Sequence, residues 1–96
     1  MAVIYWVRAV RFNQAGTHID LLKSRRDGTG IDEDFGRPAV VDFIKKYPGS
    51  FSTMFSKGGL WVPGAEIKVI LIGQEEFLKT VADNSKRDNL DNLPTF

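Results

Sequence analysis

Pro38-Ala39-Val40-Val41-Asp42-Phe43-Ile44-Lys45-Lys46-Tyr47 is the stretch whose periodicity decides the fold, because it reads as a helix with one apolar stripe. Proline is tolerated in a first helical turn, and Val40, Phe43, Ile44 and Tyr47 fall at i, i+3, i+4 and i+7. Pro48-Gly49 stops the helix, and Lys45 and Lys46 sit at the negative end of its dipole. Burying four such side chains is worth on the order of 1.5–3 kcal/mol each before conformational entropy is counted. A stripe of this kind needs a sheet to lie on.

Towards the amino end, Val3 to Phe12 reads as a strand with Val3, Tyr5, Val7 and Ala9 on one face and Ile4, Trp6, Val10 and Phe12 on the other, broken only by Arg8. Apolar residues on both faces predict a central strand covered on two sides, or one that offers a face to a partner. Asn13 to Gly16 forms a turn, and His18 to Arg26 returns as the second arm of a hairpin, its Ile19 and Leu21 face continuing into Lys23 and Arg25. Asp27 to Arg37, with three glycines and four acids, reads as a loop. Its acids invite a calcium reading, which fails: counted from Asp27, position five is Ile31 and position twelve Pro38, and counted from Asp32, position twelve is Phe43. The glycines lack the spacing of a phosphate-binding or dinucleotide motif.

Towards the carboxyl end, Ser50 to Lys57 alternates as a half-buried strand. Gly58-Gly59 and Pro63-Gly64 bracket Leu60-Trp61-Val62 in what reads as a connection, where Trp61 is expected to cap the core, with a contact anchor as the alternative. Ala65 to Ile72 is a strong strand and Phe77 to Val81 the last one. A two-residue loop at Gly73-Gln74 would set Lys68 opposite Lys79, two like charges, whereas a loop over Gly73 to Glu76 offsets them. The second register is expected; the first would point to an anionic partner on that face.

After an Asp83-Asn84-Ser85 turn the chain becomes polar, but Leu90 and Leu93 share one side of a helical turn that Asp88 can cap and Pro94 ends. Asp88 to Leu93 therefore reads as a latch folded back on the sheet. Phe77-Leu78-Lys79-Thr80, then Asp83, then Asp88-Asn89-Leu90, Leu93 and Pro94 resemble the closing pattern of a small bacterial family known as domain of unknown function 3892. Val7-Arg8 and Val10-Arg11 fit the Val-Arg pair with which such proteins open. The resemblance implies a shared fold and no activity.

Together these readings predict one domain over residues 1–96 in the order β-β-α-β-β-β. The expected fold is α+β, a mainly antiparallel twisted sheet of about five strands with one helix on it; a small, partly closed β-barrel is the alternative. With 13 basic and 12 acidic side chains there is no global field to draw nucleic acid or an anionic membrane. The absence of cysteine removes disulfides and thiolate metal sites and fits a reducing, cytoplasmic setting. Met1 to Phe12, apolar but interrupted by Arg8 and Arg11, is expected to be neither a signal peptide nor a spanning helix.

No catalytic set emerges. His18 and Asp20 share a strand face as a base and its orienter would, without a nucleophile, oxyanion site or metal beside them. No cofactor is implied. The expected function is a protein-interaction or regulatory module that binds an unidentified protein or itself, supported by the doubly apolar first strand and the Trp61 stretch. Single-stranded nucleic acid is the alternative partner. Candidate contact residues are Trp6, Trp61, Lys23, Arg25, Arg26, Lys68 and Lys79.

Overall fold

The apolar stripe forms the helix α1, Arg37–Lys46, which buries Val40, Val41 and Ile44. This is a computed structural model, and it describes residues 3–81, 85–90 and 93–96. Among these residues seven strands accompany the helix: β1 Tyr5–Phe12, β2 Ile19–Arg26, β3 Asp32–Gly36, β4 Phe51–Lys57, β5 Leu60–Glu66, β6 Lys68–Ile72 and β7 Glu75–Lys79. Five of them form a sheet in the order β3-β2-β1-β4-β5, and β6 and β7 form a separate hairpin. The architecture is α+β and the sheet is open, not closed into a barrel. The β1–β4 pair is parallel, which corrects the antiparallel expectation to a mixed sheet. The cause lies in the connection: β4 follows a helical crossover, the link that returns a chain to a parallel neighbour.

Two strands arise where a loop and a connection were expected. β3 is Asp32-Glu33-Asp34-Phe35-Gly36, a composition depleted in strands, yet Asp34 lies opposite Lys23 and Asp32 opposite Arg25. Cross-strand charge pairs and the inward Phe35 override propensity. β5 begins at Leu60 and passes through Pro63-Gly64, where an extra residue bulges against β4. Proline is tolerated there because β5 is an edge. Glycine is required at 64: a Cβ would overlap Thr53 Oγ1 and lie 2.6 Å from Phe55 Cε2.

The apparent apolarity of both faces of β1 has a simple origin. A bulge at Arg8, between Val7 and Ala9, flips the side-chain alternation. Tyr5, Val7, Val10 and Phe12 all belong to the helix-side core, and Trp6 and Arg8 lie on the opposite face. Tyr5, Phe35, Phe43 and Phe51 pack as an aromatic cluster beneath α1, with Tyr5 4.9 Å from Phe35 and 5.0 Å from Phe51 between ring centroids.

The β6–β7 hairpin takes the two-residue loop, pairing Ile72 with Glu75 and Lys68 with Lys79, which corrects the expected register. Gly73 at φ 65° supplies the backbone conformation such a loop needs. Like charges are tolerated because the two amines diverge. Lys68 is exposed, whereas Lys79 is fully buried and donates from Nζ to the Ser85 carbonyl at 2.6 Å. No open cationic pair forms.

The tail latches onto the sheet through Asp88, Leu90 and Leu93. Asp88 is 0% exposed, and its carboxylate accepts from the Ile19 and Leu78 backbone N–H groups, each at 2.8 Å, and from Arg37 Nε at 2.8 Å. It ties β2, β7 and α1 together. Leu90 and Leu93 are buried in the core, and the Val10 N–H donates to the Pro94 carbonyl at 2.9 Å. The tail thus pairs with β1 beyond the point where β4 leaves it. The expected turn at Asp83-Asn84 and the Asp91-Asn92 part of the latch lie outside the described residues.

Candidate interaction surface

Helix and hairpin pack against one face of the five-stranded sheet, and among the described residues no helix or strand covers the other, here called the open face. On it the Arg8 bulge, the β2 alternation and the edge strand β5 converge. Trp61 stands on β5 opposite Ser56, and the residue is 43% exposed and lies outside the core cluster. The expectation that Trp61 caps the core is therefore corrected: β5 is an edge strand, and its alternation turns the indole away from α1.

Two guanidiniums lie over this indole, Arg8 at 5.8 Å and Arg25 at 5.6 Å from the ring centroid. Both are fixed by one carboxylate. Arg8 donates to Asp32 Oδ2 from Nε at 3.0 Å and from an Nη at 2.6 Å, and Arg25 Nε donates to Oδ1 at 3.0 Å. The Arg8 hydrogen bond, aided by Arg25, holds the Asp32 carboxyl below its ordinary value of 3.8 against the opposing pull of partial burial. Beside the indole, Trp6, Met54, Trp61, Val62 and Pro63 line an apolar pocket of about 220 Å³. Trp6 is oriented by its own indole N–H, which donates to Asp27 Oδ1 at 2.9 Å. Further along the face, Arg11 and Lys23 flank the Phe96 ring at 4.7 and 4.5 Å.

Of the seven residues singled out from sequence, Trp6, Trp61, Lys23 and Arg25 therefore share this face. The other three do not. Arg26 pairs with Tyr5 at the end of β2, on the helix side by alternation, and Lys68 and Lys79 belong to the hairpin. Sequence reasoning passed over Arg8, Arg11, Met54, Asp32 and Phe96. A charge interrupting an apolar strand was the available signal for Arg8 and Arg11, and Asp32 stood out only as a candidate calcium ligand; nothing in the local pattern of Met54 or Phe96 marks them.

The His18–Asp20 pairing does not form. His18 stacks on Phe77 with centroids 5.4 Å apart, and its ring lies 3.2 Å from Thr17 Oγ1 and 3.8 Å from Glu75. Among the described residues no cluster of three or more His, Asp or Glu side chains is arranged to hold a metal, and no helix is long and apolar enough to cross a membrane. Two acids of the expected loop serve as acceptors, Asp27 for Trp6 and Asp32 for Arg8 and Arg25. No family model, no curated protein and no solved structure matches this chain.

Proposed function

We propose that this protein is a non-catalytic protein-interaction module, acting in the cytoplasm, whose recognition surface is the open sheet face. The observation that carries the reading is the exposed Trp61 ring, held on a strand under Arg8 and Arg25 and bordering the apolar pocket of Trp6, Met54, Val62 and Pro63. Tryptophan and arginine are the residues on which interface energy concentrates, and a pocket between rigid aromatics accepts one apolar side chain of an extended partner segment. Arg8 and Arg25 are already paired by Asp32, and Lys23 faces Asp34 across the strands. That internal neutralisation favours a polypeptide over a polyphosphate backbone.

Single-stranded nucleic acid is the second reading, favoured by the joint presence of Trp6, Trp61, Lys23 and Arg25 on one face. Selection of random peptides displayed on phage separates the two. Enriched peptides are expected to lose at least tenfold in affinity for Trp61→Ala. Affinity for an oligonucleotide that collapses with added salt, with no Trp61-dependent peptide enriched, would replace the first reading by the second.

We also propose kinship with the family called domain of unknown function 3892. Supporting it, the matching residues Leu78, Asp88, Asn89, Leu90, Leu93 and Pro94 are those that close the tail on the sheet, as a pattern kept for folding would be.

A further inference from the structure

Sheet edges are pairing surfaces, and natural ones are guarded by charge, proline, bulges or brevity. The two edges of the large sheet are guarded in this way: β3 presents Asp32, Glu33 and Asp34, and β5 is interrupted by Pro63 and a bulge. The hairpin strand β6 is different. It reads Lys68-Val69-Ile70-Leu71-Ile72, pairs with β7 on one side, and has no second strand partner among the described residues.

The two-residue loop fixes which backbone groups are free. The pair that closes such a loop, Ile72 with Glu75, is hydrogen-bonded, and so in alternation are Ile70 with Phe77 and Lys68 with Lys79. Val69 and Leu71 therefore direct their N–H and C=O groups away from β7. The same two side chains border a groove of about 430 Å³ between the hairpin and the end of α1, with Ile44 and Pro48 also lining it and Leu71 66% exposed.

We infer that β6 is the seat of a homodimer, formed by antiparallel pairing with β6 of a second copy about a two-fold axis at Ile70. That register places Val69 opposite the partner's Leu71 and satisfies the outward backbone groups of both residues. On the other face it sets Ile70 against its twin and Lys68 against the partner's Ile72. The only charge on the strand is thus kept from meeting itself. A slip that set Lys68 opposite Lys68 would oppose like charges and lose these apolar pairs. The partner's Leu71 comes to rest beside Val69, over the groove. The groove's charged rim, Lys45, Glu66, Lys68 and Glu76, carries both signs, as a self-complementary contact requires. This interface is separate from the open face around Trp61.

Light scattering of the whole chain from low to high concentration tests the dimer, and the absence of cysteine allows its register to be trapped. Ile70→Cys places the two thiols at a non-hydrogen-bonded cross-strand pair, about 4.5 Å apart at Cα, within disulfide range, so mild oxidation should yield a covalent dimer. Ile72→Cys puts them about 14 Å apart, four strand positions along, and should not. Exposed Leu71→Lys, which leaves the core untouched, should weaken the dimer at least about tenfold, while Trp61→Ala should leave it unchanged. A chain that stays monomeric at every concentration overturns the inference. So does a dimer that Leu71→Lys leaves intact, or one that cross-links through Ile72→Cys as readily as through Ile70→Cys.

Discussion

Two carboxylates in this protein each gather arginine, and they do opposite things with it. Asp88 is 0% exposed, accepts from two backbone amides and from Arg37, and joins three elements that are distant in sequence. Asp32 has 27% of its side chain exposed, accepts among the described residues from the side chains of Arg8 and Arg25, and holds them over Trp61. Burial sets the difference. A buried carboxylate with every lone pair engaged fixes a structure, because any lost partner is left dry and unpaired. A carboxylate at a wet surface organises its neighbours cheaply and releases them cheaply. The fold depends on the first and the recognition surface on the second.

The largest effect should come from Asp88→Ala. It strands the Ile19 and Leu78 amides and the Arg37 guanidinium, and should cost about 3–5 kcal/mol in urea unfolding. A loss below about 1 kcal/mol would erase the contrast. Arg37→Ala should cost less, about 1.5–3 kcal/mol, because the two backbone donors to Asp88 remain. Asp32→Ala should change stability by under about 1 kcal/mol while freeing Arg8 and Arg25, seen as altered Trp61 emission. The smallest effect is the acid titration of the same pair. The Asp32 carboxyl is held below 3.8, so its contribution is complete above that value and is lost as pH falls through the lowered one. Trp61 emission should follow that step and should not follow it in Asp32→Asn.

The contrast also explains what the sequence allowed to be read. The helix was legible from its apolar stripe, and β1, β2, β4 and β6 from their apolar and β-branched composition, although bulges shift the alternation of β1 and β2, β4 begins buried on both faces, and the strand expected over Ala65 to Ile72 is divided between β5 and β6. β3 was not legible, since Asp32-Glu33-Asp34 is a poor strand by composition and is held by Lys23 and Arg25 opposite it. β5 was hidden by Pro63-Gly64, which reads as a breaker unless the strand is known to be an edge. The tail was recognised as a latch through Leu90 and Leu93, but the mechanism of Asp88 was missed. Its partners Ile19 and Arg37 lie 69 and 51 residues away, beyond the reach of any local pattern. On the open face, Trp6, Trp61, Lys23 and Arg25 stood out by type, whereas Arg8 became intelligible only once the bulge assigned it a side.

The most direct test is to follow the protein by nitrogen-labelled NMR while a selected peptide is added. The Trp61 indole N–H and the Nε–H signals of Arg8 and Arg25 should shift first and furthest, with the amides of Asn89 and Leu90 beside Asp88 unmoved. Shifts concentrated at the hairpin and tail, with both indole signals unmoved, would contradict the account.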